Sequence, residues 1–191
     1  MSKEIELKYR FSEEQIQTLL SDPWLSSIIV MPFCEIEMES TYFDTPGNHL
    51  QENRITFRMR RENSTTVFAV KTPGAAHERG EWEVAAERIE DALPRLLALG
   101  APQLPSGPYA VAAQAKFLRR AARISPSFET EFELSVDVGT LGPVPFCELE
   151  IELKHGTKET LEAFGAELSS RYHLIPEPRS KFARARKYTS L

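Results

Sequence analysis

The sequence predicts an α+β protein built on an antiparallel eight-stranded β-barrel, closed into a tunnel with a charged lumen and helices packed outside. Three observations predict it. Strand after strand alternates charged with bulky apolar residues, the period-two pattern of a sheet with two unlike faces. Turn signals join successive strands locally, which makes neighbours antiparallel. Each helical segment carries one apolar stripe, suited to covering a sheet whose apolar face points outward.

The pattern begins at the N-terminus, where Glu4, Glu6, Lys8 and Arg10 share one face of a strand and Ile5, Leu7 and Tyr9 the other. Ser12 and Gln15 then form a capping box for a helix carrying Ile16, Leu19 and Leu20, which Asp22-Pro23 interrupts. A second strand over about 35–43 sets Glu35, Glu37 and Glu39, read as a solvated edge, against Ile36 and Met38; Asp44-Thr45-Pro46-Gly47 turns the chain. Over 55–61, Arg58 and Arg60 oppose Phe57 and Met59. Over 66–71, Lys71 opposes Phe68 and Val70, and Pro73-Gly74 makes the next turn. The strand over 78–84 sets Arg79, Glu81 and Glu83 against Trp82 and Val84.

A helix over 89–99, with Leu93, Leu96 and Leu97 apolar, ends at Gly100. Residues 101–108 are Pro-rich and read as a surface loop. No domain boundary falls there, because the charge alternation resumes beyond it; residues 1–191 are expected to form one domain. The stretch 116–124 fits helix or strand. Over 128–138, Glu129, Glu131, Glu133 and Asp137 oppose Phe132, Leu134 and Val136; over 146–153, Glu148, Glu150 and Glu152 oppose Leu149, Ile151 and Leu153. Thr157 caps a helix carrying Leu161, Phe164 and Leu168. Residues 180–184 read as helical, with Lys181 and Arg184 on one face.

Composition narrows the function classes. A formal net charge of -5 over 191 residues argues against a nucleic-acid partner, which calls for a basic surface. Cys34 and Cys147 have no metal or redox spacing and suggest a reducing compartment. The charged N-terminus lacks the apolar core of a signal peptide, and no apolar run reaches membrane-spanning length. A cytoplasmic monomer or homodimer with no membrane partner is expected. His49, His77, His155 and His173 are scattered near turns and read as surface groups.

If the charged faces pointed outward, the helices would cover only part of a charged exterior. Placed inside, they leave an apolar exterior for the helices to cover. The lumen then holds carboxylates (Glu4, Glu6, Glu81, Glu83, Glu131, Glu133, Asp137, Glu148, Glu150, Glu152) facing cations (Lys8, Arg58, Arg60, Lys71, Arg79, Lys181, Arg184). Burying so many ions costs several kcal/mol each unless they pair or bind something. Clustered carboxylates suit a hard cation such as Mg²⁺, and arginines suit phosphate. The combination implies a metal-bound phosphate chain. Glu81, Glu83, Glu131 and Glu133 are read as internal ion-pair partners. There is no phosphate-binding Gly-x-x-x-x-Gly-Lys loop.

Glu4-Ile5-Glu6-Leu7-Lys8 resembles the Glu-x-Glu-x-Lys signature of the CYTH superfamily, the triphosphate tunnel metalloenzymes. Tyr42-Phe43-Asp44-Thr45, Arg58-Met59-Arg60, Lys71, Arg79 to Glu83, Asp137-Val138-Gly139, Cys147-Glu148-Leu149-Glu150 and Ser180-Lys181 continue the resemblance in order, over nearly the whole chain. It implies Mg²⁺ or Mn²⁺ bound by Glu4, Glu6, Asp137, Glu148, Glu150 and Glu152. It implies a triphosphate-containing small molecule held by Lys8, Arg58, Arg60, Lys71, Lys181 and Arg184, with Lys8, Glu4 and Glu6 at the reacting phosphate. One of Arg119, Arg120 and Arg123 belongs to the same set, and Arg120 is favoured. The run Cys-Glu-Leu-Glu-x-Glu-Leu at 147–153 looks most like the bacterial inorganic triphosphatase branch, which implies hydrolysis of inorganic triphosphate to diphosphate and phosphate. A class IV adenylate cyclase, a thiamine triphosphatase and a non-catalytic polyphosphate- or nucleotide-binding module are the alternatives.

Overall fold

The computed structural model describes residues 2–74 and 78–188. In chain order its elements are β1 (Ser2–Arg10), α1 (Glu13–Leu20), α2 (Pro23–Ile28), β2 (Ile29–Asp44), α3 (His49–Glu52), β3 (Thr56–Glu62), β4 (Thr65–Pro73), β5 (Glu78–Ala85), α4 (Ile89–Ala98), β6 (Ala110–Ser127), β7 (Thr130–Leu141), β8 (Val144–His155), α5 (Lys158–Tyr172), β9 (Ile175–Pro176) and α6 (Lys181–Arg186). The alternating segments assemble into one antiparallel sheet of nine strands, in the order β5-β4-β3-β2-β6-β7-β8-β1-β9. The ninth strand was not expected: β9 is two residues that pair with Tyr9 and Arg10 of β1. β1 is shared between neighbours. Residues 2–5 pair with β5 and residues 6–10 with β8.

The apolar faces point outward and the helices cover them. Leu7 and Tyr9 of β1, Leu134 and Val136 of β7, and Leu149 and Ile151 of β8 pack with Ile16 and Leu19 of α1 and Leu161, Phe164 and Leu168 of α5. The approach is close, since a Cβ at Gly165 would run into Leu7 and Tyr9. Phe57, Phe68, Val70 and Trp82 pack under α4 with Ala92 and Leu96. Helix starts follow the expected chemistry: Ser12 Oγ accepts from the Gln15 N–H at 3.2 Å, and Gln15 Oε1 accepts from the Ser12 N–H at 2.8 Å. Thr157 caps α5, and Gly100 follows α4 with φ 89°.

Several expectations change. The ambiguous stretch 116–124 is strand, the middle of β6, and its long pairing with β2 decides the conformation where local propensity did not. β2 starts at Ile29 and lies between β3 and β6, so it is no edge. Glu35 and Glu39 nonetheless face outward, to Arg120 at 2.9 Å and Arg61 at 2.7 Å. Glu129 sits in the turn before β7 and not on its inner face. His77 and the Arg79 side chain lie outside the described residues. Among the described residues, no helix is long and apolar enough to cross a membrane.

One of the three core clusters sits on the concave side of the sheet. Tyr42, Ala113, Ala115, Phe117 and Phe146 pack there against Phe182 and Ala185 of α6. This apolar seat brings the C-terminal helix up to the charged chamber, and Ser180 Oγ caps it by accepting from the Ala183 N–H at 3.0 Å.

Candidate active site

The inward side chains form two walls. β1, β8 and β7 carry carboxylates in register: Glu6 pairs across with Glu152, Lys8 with Glu150, Asp137 with Glu148, and Glu133 with Glu152. β3, β4 and β6 carry Arg58, Arg60, Lys71 and Arg119. Glu4, Glu6, Lys8, Arg58, Arg60, Lys71, Glu150, Glu152 and Lys181 all line one chamber. Asp137 and Glu148 sit behind it, fully buried.

Asp137, Glu148 and Glu150 each offer an oxygen within 4.8 Å of the others. Three cations hold them. Lys181 Nζ lies 2.8 Å from Asp137 and 2.7 Å from Glu150, and also bonds Glu148. Arg119 grips Asp137 with two bonds of 2.8 Å and reaches Glu150. Arg184 bonds Glu148. Burial disfavours charge on Lys181, but Asp137, Glu150 and Glu148 outweigh it and hold the ammonium well above its ordinary value. Burial likewise opposes the Glu150 carboxylate, yet Lys181, Arg119 and Lys8 pull it well below the usual range. Burial lifts the Glu148 carboxyl to about 7, against the pull of Lys181.

The other wall is matched more loosely. Lys71 Nζ lies 2.7 Å from Glu4 and 3.0 Å from Glu81. Arg58 lies 3.2 Å from Glu83, and Arg60 lies 3.5 Å from the same carboxylate. Burial, then the neighbouring Arg58, lower the Arg60 guanidinium. Lys8 Nζ bonds Glu6 at 3.0 Å. Four buried polar atoms around the chamber have no hydrogen-bond partner: Ser40 Oγ and the Nε of Arg58, Arg60 and Arg184. Buried polar groups are almost always paired, so these atoms call for oxygens of water or of a ligand.

One expected residue falls elsewhere. Arg120 faces outward to the exposed Glu35, and Arg119 takes the inward position, because side chains alternate and the β6–β7 register sets Arg119 opposite Asp137. Glu152 lines the chamber but is bonded to Lys154 at 2.7 Å, apart from the clustered trio.

Glu177 was not singled out from sequence, since it lies in an aperiodic loop. Its side chain is 1% exposed. Its N–H donates to the Lys8 carbonyl at 2.8 Å. Its carboxylate accepts from Arg179 at 2.8 and 2.7 Å and lies 4.0 Å from Arg184. It therefore ties β1 to the start of α6. The Arg179 hydrogen bonds hold its pKa at about 2, below the ordinary 4.5. Stability from this charge is present above pH 4.5 and lost as pH falls toward 2. Glu177→Gln is expected to lower the unfolding free energy by about 2 kcal/mol at pH 7. Urea melts of the two proteins should converge near pH 2; an equal gap at both pH values would mean that the charge is not the stabilising feature.

The CYTH domain family model matches residues 2–185, a span that contains every residue of the chamber. The fold is similar to that of HpAC1 from Hippeastrum, provisionally named an adenylyl cyclase and described as having a dominant triphosphatase activity. The two share 19% identity at a TM-score of 0.69, over 98% of this chain and 96% of that one. Proteins provisionally named adenylate cyclases are similar at 20% identity and TM-score 0.62 in Bacillus halodurans (94% and 96% covered) and at 17% and 0.58 in Vibrio parahaemolyticus (93% and 94%). With the antiparallel sheet, the outer helices and the opposed charged walls, the match over nearly the full length shows that this chain is a member of the CYTH domain family.

Proposed function

We propose that the protein is a divalent-metal-dependent hydrolase of inorganic triphosphate, releasing diphosphate and phosphate. In this proposal residues 1–191 act as one domain, and the β1–β5 pairing completes a closed eight-stranded tunnel. The observation that carries it is the pair of walls: clustered carboxylates on one side, buried guanidinium nitrogens without partners on the other. A lone anion site needs no carboxylates, and a lone metal site needs no facing guanidiniums. A metal-bound phosphate chain needs both. The run at 147–153 supports the inorganic triphosphatase branch. The free thiols of Cys34 and Cys147 support a cytoplasmic location.

The donor set fits Mg²⁺ or Mn²⁺, since Asp137, Glu148 and Glu150 supply hard oxygens and Glu4 and Glu6 lie on the same wall. A divalent ion there supplies Lewis-acid charge against the phosphoryl oxygens. Free space in the chamber is about 70 Å³, enough for a handful of waters. Substrate therefore enters as internal ion pairs open. Lys181 and Arg119 leave the carboxylates for phosphoryl oxygens, and the Nε of Arg58 and Arg60 and the Ser40 hydroxyl gain hydrogen-bond partners. Water attacks the terminal phosphorus, the bridging P–O bond breaks, and its electron pair leaves with diphosphate. Lys8 stabilises charge on the reacting phosphoryl group, and Glu4 and Glu6 orient water and take up its proton.

The test is phosphate release from inorganic triphosphate, ATP and thiamine triphosphate side by side, with Mg²⁺, Mn²⁺ or EDTA. Metal-dependent release fastest from inorganic triphosphate is expected. Cyclic AMP from ATP without phosphate release would replace the hydrolase with a cyclase.

A further inference from the structure

Ser40 stands on the inner face of β2, a strand flanked on both sides, and is 3% exposed. It lines the charged chamber, and its Oγ has no hydrogen-bond partner. Its neighbours explain why. Along the strand, the same face carries Met38 and Tyr42, both buried. Across the sheet, Ser40 lies opposite Ala115 of β6 on one side and Arg60 of β3 on the other. Arg58 is its diagonal neighbour, at a distance that long side chains span. One terminal nitrogen of each arginine is already engaged. Arg58 Nη2 lies 3.2 Å from Glu83 and 3.8 Å from Glu81; Arg60 Nη2 bonds Glu62 and lies 3.5 Å from Glu83. The Nε of both arginines, like the hydroxyl, has no partner.

A buried hydroxyl without a partner lowers the stability of the fold that holds it. Alanine would fill nearly the same space among Met38, Tyr42 and Ala115 without that penalty. The hydroxyl gains only when an acceptor arrives. The Nε–H groups beside it ask for the same acceptor, an oxygen carrying negative charge. A serine also differs from the arginines around it. Its donor is neutral, and a short side chain on a strand holds it in one of a few rotamers. We propose that Ser40 is a substrate-contacting residue: its hydroxyl donates to a phosphoryl oxygen of the chain, beside the Nε–H groups of Arg58 and Arg60. The same hydroxyl then lowers the stability of the unliganded protein and raises its affinity for the phosphate chain. The inference deepens the triphosphate reading of the chamber and rests on it.

Ser40→Ala separates the two effects. Urea melts without ligand are expected to show stability equal to or above wild type. Titration calorimetry with inorganic triphosphate in EDTA should show binding about tenfold weaker, the scale of one hydrogen bond to a charged group. Because the donor removed is neutral, the affinity should fall with salt as steeply as in wild type. Ser40→Thr, which keeps the hydroxyl, should recover most of the affinity. With metal supplied, the KM of Ser40→Ala should rise while kcat stays within a few-fold. Unchanged affinity in Ser40→Ala overturns the proposal. So does a destabilised Ser40→Ala, which would make the hydroxyl part of the packed fold. Wild type that binds no triphosphate overturns the proposal together with the hydrolase reading. Binding without phosphate release in the presence of metal overturns the hydrolase reading alone, and the loss in Ser40→Ala then still supports the contact.

Discussion

Glu150→Gln is expected to cut metal-dependent phosphate release by about 10³-fold, the scale seen when one preorganised charged group is removed from a catalytic centre. Glu150 is the member of the carboxylate trio that both lines the chamber and contacts Lys181 and Arg119. Its carboxylate is held ionised by Lys181, Arg119 and Lys8 against the pull of burial, so it is charged when a cation arrives. The amide keeps the shape and removes that charge. The fold should survive. Lys181 retains Asp137 and Glu148, and Arg119 retains its two bonds to Asp137. Thermal melts near wild type, with Mn²⁺ binding weakened, would assign the loss to the metal site. Glu152→Gln is the matched comparison, because its carboxylate is bonded to Lys154. It should slow release by less than about tenfold. A Glu150→Gln enzyme within a few-fold of wild type would remove Glu150 from the metal set.

The inner faces of β1, β3, β4, β5, β7 and β8 were legible in the sequence for a simple reason. Side chains alternate with period two, and Glu4, Glu6 and Lys8, or Glu148, Glu150 and Glu152, declare their common face whatever the neighbouring strand does. That the charged face is the inner one followed from the helices, whose single apolar stripes need an apolar exterior to cover. What local pattern cannot carry is pairing between distant strands. Residues 116–124 hold Arg119, Arg120 and Arg123 among small and apolar residues that suit either conformation. Only the registers with β2 and β7 choose which arginine turns inward. The same limit hid Glu177, whose partners Lys8, Arg179 and Arg184 meet through a loop with no period. It also hid the seat of α6. Phe182 and Ala185 gave no sign that they would settle among Tyr42, Phe117 and Phe146 inside the sheet and bring Lys181 to the carboxylates.

Arg119→Ala should be as damaging as Arg120→Ala is harmless, and the pair tests the register directly. Arg119 is partly buried, with Nε and Nη2 each 2.8 Å from Asp137 and a further bond to Glu150. Burial works against its charge, but Asp137 and Glu150 hold the guanidinium well above its ordinary value. Removing it leaves a fully buried Asp137 with Lys181 as its remaining ion-pair partner among the described residues. The expected cost is about 3 kcal/mol of stability, the scale for breaking a buried pair. Turnover of inorganic triphosphate should fall by about 10²-fold or more, because a preorganised phosphoryl donor is lost as well. Arg119→Lys should recover stability more than rate, since an ammonium restores the charge but not the two-pronged grip. Arg120 lies across the sheet, bonded to the exposed Glu35. Its removal should move stability by less than about 1 kcal/mol and leave kcat unchanged. Urea melts and phosphate release on the three variants decide the matter. Loss of activity in Arg120→Ala with normal Arg119→Ala would reverse the inward face of β6, and the proposed chamber would go with it.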